Sequence, residues 1–256
     1  MLLSHNLALQ ALEKAGAWRE TAELAGGEAS AALAWPFNAR EGGGEAPFVP
    51  GGSGAGALVF LAPGGENLFR VSPDDAGVSV SEIESPMGFR CSRPATLDYS
   101  GVGAPAAGML GLDAARELEG LLLLGVASIA AGLSRQACEK AHLYASERYQ
   151  GGDLVINHEQ MRLMLAEMLV GIEAGEALVR QAALRGPPRL TCCRIAKVVA
   201  CDAAMAATLD GVQMHGGYGY MRDYGMERMM RDAKYCQAYP WARQNELLAV
   251  LSKIKG

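Results

Sequence analysis

The sequence predicts a mostly α protein with one small antiparallel β domain and a C-terminal four-helix bundle. Three observations predict it. From Gly111 onward, apolar residues recur at helical spacing to the end of the chain. Residues 36–110 instead hold dense Pro and Gly around short β-prone runs. The run Gly211 to Gln237, GVQMHGGYGYMRDYGMERMMRDAKYCQ, opens inside an apolar helix, breaks at Gly216-Gly217 and restarts as a helix rich in Met and Arg.

The elements follow in order. Residues 1–35 read as helical, with Leu3, Leu7, Leu12 and Ala8, Ala11, Ala15 forming an approximate stripe. Gly16 and Gly26-Gly27 punctuate it into two short helices, which cannot bury a core alone. In 36–110, the runs Ala57–Leu61, Leu68–Val71, Val78–Val80 and Ala95–Tyr99 read as strands, and Glu41 to Gly56 as loop. Gly64-Gly65 and Asp74-Asp75-Ala76-Gly77 are turn signals between them. In 111–256, a long helix is expected from Leu112 to Tyr149, broken by Gly151-Gly152-Asp153. A second carries Met161, Met164, Leu165, Met168, Leu169 and Ile172 on one face and stops at Gly186-Pro187-Pro188. A third runs from Thr191 to His215, and a shorter pair is split near Tyr239-Pro240. Three long helices and a final one give an antiparallel bundle.

Composition narrows the function. A net charge of -5 excludes nucleic acid as a default partner. No Lys/Arg cluster suits an anionic membrane surface. The most apolar run, Leu121 to Ala131, falls short of the ~20 residues that span a bilayer and reads as a buried helix. No signal peptide is visible, because Met1-Leu2-Leu3 is followed at once by Ser4-His5-Asn6. None of Cys91, Cys138, Cys192, Cys193, Cys201 and Cys236 forms a C-x-x-C pair, so they read as reduced, buried thiols of a cytoplasmic protein. His142, His158 and His215 lack metal-ligand spacing.

Three motifs carry a family resemblance. Tyr144-Ala145-Ser146-Glu147-Arg148 before a Gly pair resembles the "YA-x-ER-x-x-FG" helix end of acyl-CoA dehydrogenases. His158-Glu159-Gln160 with Leu165-Ala166-Glu167-Met168 resembles their "Q…LA-x-M" helix. Gly211 to Lys234 resembles "A-x-Q-x-x-GG-x-GY-x-x-E-x-x-x-ER-x-x-RDA-K" almost position for position. More weakly, Gly26-Gly27-Glu28-Ala29 resembles an "L-x-x-GE" turn. Asp75 to Val78, Met87 to Arg90 and Val102 through Pro105 to Gly111 resemble the later middle domain. The implied fold is acyl-CoA dehydrogenase-like, with residual N-terminal helices in 1–35, a shortened middle domain in 36–110 and the bundle in 111–256. Most of the family's N-terminal helical domain is then missing. Trp35-Pro36-Phe37-Asn38 stands where the family's "TEP-x-x-GSD" loop would follow Ala34.

The resemblance also implies chemistry. In this family a Glu removes the α-proton of an acyl-CoA thioester while a hydride leaves the β-carbon for FAD, an oxidoreductase reaction of lipid metabolism and β-oxidation. A carboxylate suits the step because an apolar pocket can raise its pKa. The usual "Y-E-G-T" reads Tyr239-Pro240-Trp241-Ala242 here, so Pro240 occupies the base position. The alternative base position falls at Leu122, and the Asp-x-x-Arg pair that holds CoA falls at Gly120 and Leu123. Glu119, about one turn away, is the remaining candidate base, with a solvated helix-start carboxylate as the plainer reading. Arg148 matches an Arg that reaches the FAD pyrophosphate across a subunit boundary, where a guanidinium offers paired donors. Its expected aromatic companion is Gly151. Gln213, Gly216 and Gly217 match residues along the adenosine and pyrophosphate. Tyr218, Tyr220, Arg228, Arg231 and Asp232 read as packing and ion pairs.

Three readings follow. The chain is a flavoprotein subunit without its own base that completes the FAD site of a family partner, resembling the short subunits of heteromeric bacterial acyl-CoA dehydrogenases. Otherwise it is a non-catalytic scaffold, a homodimer or tetramer that has lost FAD, or an autonomous dehydrogenase using Glu119.

Overall fold

The computed structural model describes residues 2–26, 29–34, 44–61, 67–99, 108–186 and 190–251. The expected turns at Gly27-Glu28 and Gly64-Gly65, the segments at Trp35–Asn38 and Val102–Pro105, and the stop at Pro187-Pro188 lie outside them. The chain is mostly helical and divides into Met1–Leu122 and Leu123–Gly256.

The first unit opens with α1 (Leu2–Lys14) and α2 (Trp18–Ala25). β1 (Ala31–Ala34), β3 (Ala57–Leu61), β4 (Asn67–Val71) and β7 (Gly108–Met109) form one sheet in the order β1-β3-β4-β7. β2 (Glu45–Val49), β6 (Ala95–Asp98) and β5 (Ser79–Glu82) form a second, in the order β2-β6-β5. Sequence expectation differs in three ways. Ala31–Ala34 was expected as helix and is a strand, because its small side chains fill a fully buried edge. Glu45–Val49 was expected as loop and pairs antiparallel with β6. Every pairing here is antiparallel except β1 with β3, which is parallel in the register Ala31↔Ala57 to Ala34↔Phe60. The core gathers Val49, Leu58, Phe60, Val71, Leu97 and Tyr99, with Phe60 stacked on Tyr99 at 4.3 Å and on Phe69 at 5.2 Å. On the open side of β1, Leu33 N–H donates to Ser4 Oγ (2.9 Å) and Ala31 N–H to His5 Nδ1 (3.0 Å) of α1.

α3 (Leu112–Glu147) ends two residues before the expected Tyr149, which begins the hairpin β8 (Tyr149–Gln150) and β9 (Asp153–Leu154). It is the described helix long and apolar enough to cross a bilayer, yet half of its apolar window is buried inside the protein, as in a core helix.

In the second unit follow α4 (Glu159–Leu184), α5 (Leu190–His215), α6 (Gly217–Tyr220), α7 (Met226–Ala238) and α8 (Arg243–Leu251). α5 packs against α4, α7 and α8. Its buried side is rich in small residues, with Ala196, Ala200, Ala204 and Ala207 all buried, so neighbouring helices approach closely. Met168, Ile172, Met214, Met226 and Met229 fill the space around Ala137, Ala141 and Ala145 of α3; flexible thioethers suit such irregular gaps. Arg135 ties α3 to α4 through Glu176 (2.6 Å) and Glu173 (3.1 Å). Cys138, Cys193, Cys201 and Cys236 are buried, whereas Cys91 is exposed and Cys192 half-buried; all six are free thiols.

Candidate functional site

The C-terminal end of α5 and the C-terminal end of α3 shape one cavity of about 680 Å³ within the second unit. α5 stops at His215 because Gly216 takes φ 57° and ψ −135°, a conformation L side chains rarely adopt. Gly217 then starts α6. Arg148 closes the last turn of α3, its N–H donating to Tyr144 O (2.9 Å) and its carbonyl accepting Val155 N–H (2.8 Å). The structure thus brings Arg148, Gln213, Gly216 and Gly217 onto the wall of a single cavity. A Cβ on Gly216 or Gly217 would meet nothing within 4 Å, so both leave room on that side.

Other lining residues were not singled out as site residues from the sequence: Tyr144, Gln150, Gly151, Val155, His158, Met161, Met214, His215, Tyr218 and Met221. The spacing of the two histidines suits no metal. The usable signal was their place inside motifs that converge on Arg148 and Gly216. His215 is buried, stacks on Tyr144 at 4.3 Å, and its Nδ1–H donates to Gly211 O at 2.7 Å. Burial pushes its pKa below the ordinary histidine value. Tyr224 stands edge-on to Tyr144 (5.8 Å) and to His215 (5.7 Å). The Arg148 guanidinium lies 5.5 Å from the Tyr218 ring centroid, within cation–π range.

Among the described residues, the wall carries no carboxylate. Its permanent charge is Arg148, which is exposed. Aromatic and thioether groups make up much of the rest. A guanidinium on an acid-free wall favours an anion that also presents apolar or π surface, such as a nucleotide. That chemistry fits the adenosine–pyrophosphate half of FAD, which Arg148, Gln213, Gly216 and Gly217 would hold.

The expected base positions are occupied differently. Pro240 is buried in the turn between α7 and α8, with no proton acceptor in its side chain. Lys197, 1% exposed, donates to Trp241 O (2.7 Å) of that turn and to Gln237 O (3.4 Å) in the last turn of α7. Glu246, fully buried, accepts from Arg194 at 2.6 Å and stands 3.8 Å from Lys197 Nζ. Burial pulls the Lys197 ammonium below the usual lysine range. Leu122 and Leu123 are buried apolar residues and Gly120 is buried. Glu119 is half-buried on α3, and Glu117 pairs with Lys14 at 2.9 Å. Of the residues read as packing and ion pairs, Arg231 bonds Glu227 (2.8 Å) and Tyr218 leans on Tyr224 (5.3 Å), while Tyr220 is 82% exposed.

Comparison with known proteins follows the same lines. The family described as "Acyl-CoA dehydrogenase, C-terminal domain" matches residues 113–240, half of the chain. Cyclohexane-1-carbonyl-CoA dehydrogenase of Syntrophus aciditrophicus is 33% identical over 199 residues, which cover 75% of this chain and 52% of that protein. A short-chain-specific acyl-CoA dehydrogenase of Clostridium acetobutylicum is 31% identical over 223 residues, covering 81% and 59%. The structure of butyryl-CoA dehydrogenase from Megasphaera elsdenii matches with a TM-score of 0.81 over 93% of this chain and 71% of that one, at 26% identity. The chain spans about half the length of the curated relatives it matches.

Proposed function

This chain belongs to the acyl-CoA dehydrogenase family, and we propose on that premise that it is a flavoprotein subunit completing the FAD site of a partner chain without supplying the base. The observation that carries this reading is a separation within the second unit. Arg148, Gln213, Gly216 and Gly217 share one acid-free cavity, while the turn that would bear the base presents Pro240.

Bound FAD supplies the hydride acceptor for α,β-dehydrogenation of an acyl-CoA thioester. In this chain Arg148 neutralises phosphate with a planar pair of donors. Gln213, exposed on the last turn of α5, can donate to or accept from a sugar hydroxyl. Gly216 and Gly217 let the ligand lie against backbone. The α-proton then goes to a carboxylate of another chain, since neither Pro240 nor Leu122 can take it. The partner is a second family subunit, and Val170, Leu184 and Tyr220 are large apolar side chains left exposed at separate points of this chain. The free thiols support a cytoplasmic site of action, in β-oxidation of a lipid-derived acyl group.

The test is the flavin absorbance band of the chain purified alone and copurified with its partner. Colour only in the complex, cut about tenfold or more in flavin retention by Arg148→Ala, is expected. Stoichiometric flavin in the chain alone, with turnover lost in Glu119→Gln, would instead establish the autonomous enzyme. Colourless preparations of both kinds would establish the scaffold.

A further inference from the structure

His215 closes α5 at the cavity wall and is 4% exposed. Its Nδ1–H donates to Gly211 O at 2.7 Å, within its own helix. With the proton on Nδ1, the neutral ring carries a lone pair on Nε2. Nε2 has no hydrogen-bond partner among the described residues. A lone pair repels the oxygens of an anion. A proton on Nε2 turns the same atom into a charged donor.

The surroundings of the ring are balanced against that charge. Tyr144 stacks on the imidazole at 4.3 Å with 21° between the planes, and a π face attracts a cation. Tyr224 meets the ring at 5.7 Å and 69°. Burial works the other way, and so does Lys140 of α3, whose Nζ donates to Tyr224 O at 3.2 Å. These two hold the pKa of His215 below the ordinary histidine value, so the ring is neutral at about pH 7. The other titratable or charged groups on the wall are Arg148 at the end of α3, His158 ahead of α4, and Tyr218 of α6. Among the described lining residues no carboxylate offsets Lys140 and Arg148. An anion that enters the cavity reverses this balance, because its charge favours a protonated ring.

We propose that the cavity takes up its anionic ligand together with one proton, which goes to Nε2 of His215: Arg148 is the permanent phosphate contact and His215 the conditional one. The proposal rests on the nucleotide reading of the cavity given above, and adds to it a dependence on pH. The sign follows from linkage. The bound anion raises the pKa of His215, so affinity is highest below that raised value and falls as the pH rises through it.

The full chain is titrated calorimetrically with ADP-ribose, whose pyrophosphate is a diester and keeps one charge state over the range used. Paired buffers of different ionisation enthalpy count the protons taken up on binding. The native chain is expected to take up a proton, and to bind about tenfold more tightly at roughly pH 5.5 than at roughly pH 8. His215→Phe keeps a ring against Tyr144 and should abolish both the uptake and the pH dependence. Lys140→Gln removes the positive neighbour and should move the rise in affinity to higher pH. His158→Gln, which alters the other imidazole on the wall, should leave the uptake unchanged. Binding without proton uptake in the native chain would overturn the proposal and leave the nucleotide reading standing. Uptake that persists in His215→Phe, or disappears in His158→Gln, would also overturn it. Should His215→Phe not fold, an unshifted profile in Lys140→Gln overturns it equally. No binding of ADP-ribose at any pH would bring down the proposal and the nucleotide reading together.

Discussion

The two ends of α5 are built in opposite ways. At the C-terminal end, Gln213 is exposed, Gly216 and Gly217 are open, and Arg148 of the neighbouring helix end faces a cavity without an acid. Near the N-terminal end, Arg194 and Lys197 turn inward onto Glu246 and onto the carbonyls of the α7–α8 turn. The first arrangement leaves polar groups available to something outside the chain. The second uses every charge to hold the chain to itself. A catalytic base needs a carboxylate facing substrate; of the two carboxylates beside the Pro240 turn, Glu246 is fully buried and answers an arginine and a lysine, and Asp202 is tied to Gln237 (2.9 Å) and Arg243 (2.7 Å). The difference teaches that one end of a helix can leave its polar groups open to a ligand while charges near the other end are spent on holding the fold together.

Substitution at the closed end should give the largest effect. Glu246→Ala takes the carboxylate away from buried Lys197 and part-buried Arg194, which should lower unfolding free energy by about 3–5 kcal/mol in chemical denaturation. A change near zero would mean that the ionic cluster does not secure the turn, and the contrast between the two ends would fail. At the open end, Gly216→Ala forces an L side chain into φ 57°, so a loss of about 1–3 kcal/mol is expected. The empty space beside Gly216 makes this a backbone effect and not a clash. An Ala variant as stable as the native chain would show that the break after His215 can relax. Arg135→Ala, in the exposed α3–α4 ion pairs away from both ends, should cost only about 0.2–1 kcal/mol, near the limit of a thermal melt. A larger loss there would mean that general helix pairing, and not the ends of α5, dominates the unit's stability.

Much of this was legible in the sequence because helix signals are local. The Gly151-Gly152 break, the Gly216-Gly217 break and the split near Pro240 each fall at an observed boundary. The strands at 57–61, 67–71 and 95–98 were readable from β-branched and aromatic runs between turn residues. Ala31–Ala34 was not, because three alanines and one leucine carry no strand pattern and its partner lies at Ala57–Phe60, paired in parallel. Glu45–Val49 was hidden by the Pro and Gly around it. In the site, Arg148, Gln213, Gly216 and Gly217 stood out by motif, but their convergence with His158 depends on a hairpin folding back onto the start of α4. Lys197 and Glu246 lie 49 positions apart, and nothing local in either helix announces that they meet.

The side of β1 that faces away from β3 has a further consequence. A strand at the margin of a sheet exposes N–H and C=O groups that can recruit a strand from another chain, which is how soluble sheets begin to aggregate. Here Ser4 and His5 occupy two of those donors, so a helix stands in for the next strand. The acceptors come from side chains, whose spacing on a helix does not repeat at the strand period, so the mimicry ends after two bonds. The small sheet is thereby given a terminus that cannot serve as a template, and growth along that margin is blocked by two hydrogen bonds from α1.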